Sequence, residues 1–268
     1  ATYINAPYTV DVMTRVIDSP NSVAKLGSFE QVSCGNTASS LYDMLYWAEA
    51  GINGIRPILA VTDFGIVHSK TCDGVGVSIL NLSTGIDTPL DNEITHVSLS
   101  LDGKSLLGIK NNRIMVIDLA TDQLSTFPVE ATPDQVIWGA PDTGNIYYSV
   151  QTVTDEIVNY SADEQQKIMT ATGLTVSTLT ENHVSIHRFN LETANDEIVY
   201  DNTAYAIGQM TLLPDNRVLM VSEVPSLTDW LASVLESDNS KSPDLKTALY
   251  LVSLEGAETR LLGMGLSG

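Results

Sequence analysis

Short apolar runs along this chain are punctuated every few residues by Gly, Asn or Asp, and the spacing is that of strands and tight turns. The clearest stretch lies between 96 and 129. Val97, Leu99 and Leu101 alternate with His96, Ser98 and Ser100, which places the apolar set on one face of a strand. Asp102-Gly103 follows, a pair that tolerates the positive φ of a hairpin turn. A second strand is predicted over Ser105-Leu106-Leu107-Gly108-Ile109, and Asn111-Asn112 closes a second turn. The third strand, Ile114-Met115-Val116-Ile117, is apolar on both faces, so both must be covered. The fourth, Leu124 to Val129, contains Pro128 and therefore suits an outer position.

The same grammar recurs around Ile58 to Leu80, Val136 to Tyr148 and Met210 to Val252. Each unit ends its third apolar run in one phrase: Asn81-Leu82-Ser83-Thr84-Gly85, Asp118-Leu119-Ala120-Thr121-Asp122, Asn190-Leu191-Glu192-Thr193-Ala194 and Ser253-Leu254-Glu255-Gly256-Ala257. A repeated small sheet with inner strands apolar on both faces has to be stacked against its own copies. The radial form of that stack is a β-propeller, so the expected fold class is all-β, with about five four-stranded blades inside a range of four to seven.

The phrases Ser100-Leu101-Asp102-Gly103-Lys104-Ser105-Leu106 and Ile117-Asp118-Leu119-Ala120-Thr121 resemble the Ser-Pro-Asp-Gly-Lys and Asp-Leu-x-Thr-Gly pattern of TolB-like, or more broadly Trp-Asp-repeat-like, propeller repeats. The resemblance spans residues 56 to 263. Leu101 stands where proline is usual, and Gly85 is the only glycine at the expected place in the final turn. The family resemblance implies a propeller that serves as a protein-binding platform, a ligand-binding domain or a gating domain of a peptidase; it assigns no activity.

Residues 1–55 lack the phrase and are expected to form a divergent blade or ring-closing strand, with a strand from Tyr8 to Ile17 and a helix over 39–50 whose apolar side carries Leu41, Met44, Leu45 and Ala48. Residues 56–268 are expected to form the blades. The interval from the first-turn aspartate to the repeat leucine runs from 102 to 119 in one unit, but from 142 to 191 and from 215 to 254 in the later two. The excess falls at 151–182 and 223–246, between second and third strands, on the face of a propeller where long loops carry function. Both insertions predict a helix. Ser161 with Glu164 forms a capping box; Ser226 with Asp229 is its aspartate variant, ahead of Leu227, Trp230, Leu231, Val234 and Leu235 at helical spacing. These helices either plug the scaffold or present a binding surface. In the second case Trp230, Leu231, Leu235, Asp229 and Tyr160 are the candidate ligand- or partner-binding residues.

Charge narrows the partner. Thirteen Lys and Arg stand against 33 Asp and Glu, a formal charge of −20, which repels nucleic acid and anionic membrane surfaces. A basic protein, a cation or a neutral glycan fits better. No run of 18 apolar residues exists to cross a bilayer as a helix. Cys34 and Cys72 both lie in polar, Gly-containing stretches and permit one disulfide; with a first residue that is not Met, they lead to the expectation of an extracytoplasmic protein, whether periplasmic, cell-surface or secreted.

Motifs that would carry chemistry are sparse. His183 and His187 have the interval of a helical metal chelate, but Val184 and Ile186 alternate as in a strand, where positions four apart lie roughly 13 Å distant. Ser22-Val23-Ala24-Lys25 has the Ser-x-x-Lys spacing without its companion Lys-Thr-Gly motif. Gly-x-Ser-x-Gly and the phosphate-binding glycine loops are missing, and the acid clusters at Asp87, Asp91 and Glu93 or Asp155 and Glu156 lack calcium-loop spacing. No cofactor, metal site or catalytic residue is therefore expected. The leading expectation is a non-enzymatic propeller that binds a protein or extended ligand through the face bearing the two insertions. A propeller hydrolase or lyase with an acidic or metal-assisted channel is the first alternative, and an assembly subunit pairing through blade edges the second.

Overall fold

The computed structural model describes residues 8–16, 19–31, 59–69, 75–129, 131–141, 143–213, 217–236, 247–254 and 259–264. The expected helix over 39–50 and the Cys34–Cys72 bridge lie outside them. The chain divides into two compact units, Ala1–Glu130 and Ala131–Gly268.

In the first unit, β1 (Tyr8–Val16) and β2 (Ser19–Gln31) form an antiparallel hairpin. A four-stranded meander follows: β3 (Leu59–Val61), β4 (Ile66–Ser69), β5 (Val77–Leu80) and β6 (Asp87–Asp91). A second meander comprises β7 (Thr95–Leu99), β8 (Ser105–Lys110), β9 (Arg113–Asp118) and β10 (Gln123–Phe127). The doubly apolar run forms β9, where Ile114, Met115 and Ile117 are buried. The outermost β10 is almost wholly exposed. One apolar layer joins the two meanders, with Val67, Val77 and Ile79 packed with Ile94, Leu106, Met115, Ile117 and Leu119. Leu101 differs from its expected strand position: it sits in the turn, 83% exposed, because β7 ends at Leu99 and Gly103 with φ 70° reverses the chain.

The second unit is a continuous antiparallel run of seven strands: β11 (Gln135–Trp138), β12 (Asn145–Asn159), β13 (Thr178–Asn190), β14 (Asp196–Leu212), β15 (Val218–Pro225), β16 (Ala248–Ser253) and β17 (Thr259–Met264). Its seven strands resolve into two four-stranded meanders that share β14. Residues Asp196 to Thr203 of that strand pair with β13, and Ala204 to Leu212 pair with β15. The fourth strand of one sheet is thus the first of the next. Tyr147, Val184, Ile186 and Tyr200 pack with Met210, Leu219, Val221 and Val252 to bury the layer between them.

The repeated phrase closes the third hairpin of three of the sheets, at Asn81, Asp118 and Asn190, and its chemistry is explicit there. Asn81 Oδ1 accepts the N–H groups of Ser83 and Thr84, Asp118 Oδ1 those of Ala120 and Thr121, and Asn190 Oδ1 those of Glu192 and Thr193. In the last two copies the threonine hydroxyl donates to the same oxygen. The fifth residue is left-handed in all three: Gly85 at φ 70°, Asp122 and Ala194 at φ 56°. Asx at the first position, Thr at the fourth and a small or polar residue at the fifth are what such a turn requires. The following leucine is tied down as well, since the N–H of Leu119, Leu191 and Leu254 donates to the carbonyl of Lys104, Gly144 and Arg217.

Candidate functional site

The insertion at 151–182 is built differently from a loop. The paired strands simply continue outward, from Gln151 opposite Val184 to Asn159 opposite Thr178, as a two-stranded arm. Between Val153 and Ile157 the register slips, and Thr154 Oγ1 donates to the Glu181 carbonyl within the bulge. At the tip the chain forms α1 (Ala162–Thr172), opened by the expected capping box: the Ser161 N–H donates to Glu164 Oε2 at 2.7 Å and Ser161 Oγ accepts the Glu164 N–H. Gly173 at φ 76° ends the helix. In the second insertion α2 (Leu227–Glu236) begins where Ser226 Oγ accepts the Asp229 N–H at 3.2 Å.

The two helices pack on each other and on the arm. Tyr160, Ile168 and Leu231 are buried together, and Val158, Val176, Leu179, Trp230 and Leu235 pack around them. Ser226 Oγ donates to both oxygens of Glu181, at 3.0 and 3.3 Å, and so ties the start of α2 to the arm. Burial beside the Glu181 and Glu164 carboxylates raises the Tyr160 phenol above its usual range. The sequence-selected residues are therefore neighbours with unequal roles. Leu231 and Tyr160 cement the helix pair, Trp230 and Leu235 are half-buried, and Asp229 is exposed.

What the sequence reading did not single out is the rest of the arm surface. Val153 is 66% exposed, Ile157 59% and Met169 47%. Ile157 precedes Val158, whose side chain meets the helices, so alternation puts Ile157 on the opposite face of the ribbon. Tyr205, also exposed, sits at the base of the arm with its carbonyl held by the Gln151 and Asn182 amides at 2.7 and 3.2 Å. Five acids (Asp155, Glu156, Asp163, Glu164, Glu181) and a single base, Lys167, fall between 151 and 182.

A second constellation lies on the sheet itself. His187 Nδ1 is 3.1 Å from Asp196 Oδ1, and its Nε2 is 3.1 Å from Ser185 Oγ. Tyr148 donates its hydroxyl to Asp196 Oδ2 at 2.5 Å and stacks on the imidazole with ring centroids 4.7 Å apart. The histidine spacing noticed in the sequence is a strand spacing, as expected, and only His187 joins this group; His183 pairs with Asp201 at 3.0 Å. A third polar group is buried where the two sheets of the unit meet. Glu223, 2% exposed, accepts from the Tyr200 hydroxyl and from Asn202 Nδ2. Burial drives its carboxyl above the usual range despite those two donors.

Arg188 lies on the other face of β13, in a polar depression of about 240 Å³ lined by Asn145, Asn190, Thr193, Asn195 and Glu197. Its guanidinium is committed to Glu197 at 2.5 Å and to the Leu254 carbonyl at 3.3 Å. Among the described residues no three His, Cys, Asp or Glu side chains are grouped to hold a metal ion, and no helix is long and apolar enough to cross a membrane.

These features define a mostly-β repeat protein built of antiparallel meanders. No protein-family model and no curated protein matches the chain. Among solved structures it is similar to dipeptidyl peptidase 4 of Porphyromonas gingivalis, at 11% identity and a TM-score of 0.47 over 90% of this chain and 37% of that one. It is also similar to a protein designated TolB from Agrobacterium tumefaciens, at 14% identity and TM-score 0.46 over 81% and 76% of the two chains. An acylaminoacyl peptidase of Pyrococcus horikoshii matches at 12% identity and TM-score 0.45 over 78% of this chain and 30% of its own. The chain thus spans well under half the length of either peptidase. Likenesses of this depth assign neither a family nor an activity.

Proposed function

We propose that the chain is an extracytoplasmic β-propeller that acts as a protein-binding platform, contacting its partner through the helix-tipped arm of the second unit. The observation that carries this reading is the arm surface: Val153 and Ile157 are held out on one face of the paired ribbon and Met169 on the helix at its tip, at exposures that bury nothing of the fold itself. Exposed apolar side chains grouped on a projecting element are an expected mark of an interaction site. Trp230, Leu235 and Asp229 belong to α2 on the opposite, helix-bearing face of the arm, which Leu231 and Tyr160 support from beneath. The acid excess of the arm selects a basic partner, with steering that weakens as salt rises.

A photo-reactive amino acid at 153 or 169, set against one at Leu124 in the exposed outer strand of the other unit, tests the reading in extract of the source cells. The proposal expects a discrete protein adduct from both arm positions, reduced at high salt, and none from 124. Equal adduct patterns from arm and control positions, or none from the arm, reject it. The hydrolase alternative is favoured by one specific observation, the contact of Ser185 with His187, which is independent of the arm.

A further inference from the structure

Ser185 and His187 are two residues apart on β13 and so share a face of the sheet, the one opposite Val184 and Ile186. Asp196, the first residue of β14, reaches the same imidazole from across the hairpin. Serine oxygen, imidazole and carboxylate are thereby placed in series, each gap 3.1 Å. The carboxylate accepts from Nδ1–H, which leaves Nε2 as an acceptor facing the serine hydroxyl. Tyr148 holds the assembly from below, by its hydroxyl on Asp196 and its ring on the imidazole.

The repeat provides an internal comparison. In the first sheet Asp87, six positions after Asn81 as Asp196 is six after Asn190, accepts from His68 Nε2 at 2.9 Å. That copy is sealed: His68 is 1% exposed and stacked on Phe29. An acid at this register is thus a recurrent clamp across the sheet, and a clamp needs no serine. In the later copy Tyr148 stands at the His68 register and makes the reach to Asp196, and the imidazole added on the next strand, His187, is 14% exposed and meets a partly exposed serine. The serine is the element that sheet clamping leaves unexplained.

We propose that Ser185 is a nucleophile for acyl transfer, with His187 as its general base and Asp196 and Tyr148 as positioning residues. Ser185 Oγ bonds to an ester carbonyl carbon as its proton passes to His187 Nε2. The tetrahedral intermediate collapses, the ester C–O bond breaks, and the departing alkoxide takes the proton from His187. Water then attacks acyl-Ser185, its proton passing to Nε2 and on to Ser185 Oγ as the carboxylic acid leaves. Ile198, exposed and paired opposite His187, offers an apolar neighbour for the acyl group, and Asp201 opposite Ser185 disfavours an anionic one. The substrate class is a small, uncharged ester.

The test is a fluorophosphonate probe on the whole chain, read by intact mass and peptide mapping. One adduct on Ser185 is expected, absent from Ser185→Ala. His187→Gln should slow labelling by about 100-fold. Asp196→Asn should move the pH midpoint of labelling, a change that a purely structural clamp would not produce. Because the mapping uses the unaltered protein, no variant has to fold for the result to count. An unmodified Ser185, or equal labelling of the wild type and Ser185→Ala, overturns the proposal and leaves the arm proposal untouched.

Discussion

Glu223 holds a carboxyl in the interior with hydroxyl and amide donors, and this fixes the sign of its response to pH. Its folded pKa lies above the ordinary 4.5 because burial disfavours the charged form more than Tyr200 and Asn202 favour it. The unfolded chain releases that proton near 4.5. The stability it contributes is therefore complete below pH 4.5 and is lost as pH rises through the higher folded value. Urea midpoints measured from pH 4 upward should decline for the wild type across that window, and Glu223→Gln should remove that part of the decline. Identical pH profiles would show that the carboxyl is not neutral in the fold. Asp91 has the opposite sign: burial opposes its charge, but Lys110 at 2.7 Å and the Glu93 and Ile94 N–H groups hold it below the ordinary range, so its contribution is lost in acid. The burial of Glu223 is not legible in the chain, whose spacing puts residue 223 at the start of an insertion; β15 instead runs on to Pro225 and sets Glu223 on the face of Leu219 and Val221. Its hydroxyl and amide donors are hidden as well, because Tyr200 and Asn202 come from the preceding strand.

Among the elements, the repeated phrase was readable because a turn with one Asx acceptor and one left-handed residue restricts sequence at fixed offsets. The helices were readable for a related reason: caps at Ser161 and Ser226 and an apolar stripe are local. The arm was not. Gln151 to Asn159 mixes polar and apolar residues without a buried face, and only pairing with Thr178 to Val184 makes it a strand. The Ser185, His187 and Asp196 series was hidden for the same reason, since a hairpin turn separates its members in sequence. Leu231 belongs to this scale. It is 2% exposed and joins α2 to α1, so Leu231→Ala should cost about 2–5 kcal/mol by leaving a cavity between the helices. Chemical denaturation of the second unit's transition measures this, and a cost below about 0.5 kcal/mol would mean that the helices do not depend on each other.

At the scale of the whole molecule, each unit buries the faces its own sheets share, and the arm is the part of the second unit that this packing does not need. Five acids on the arm and a chain charge of −20 make a basic partner the expected one, with salt-sensitive association. Sequence alone was informative about that packing, because its repeats write the burial pattern four times, and poor on the partner, because one arm has no second copy to compare. The direct test is the affinity of the cross-linked partner for the wild type and for the double variant Val153→Asp and Ile157→Asp, by titration calorimetry alongside thermal unfolding. The account predicts binding weakened by about tenfold or more with an unchanged melting temperature. Unchanged affinity in a folded double variant would contradict it.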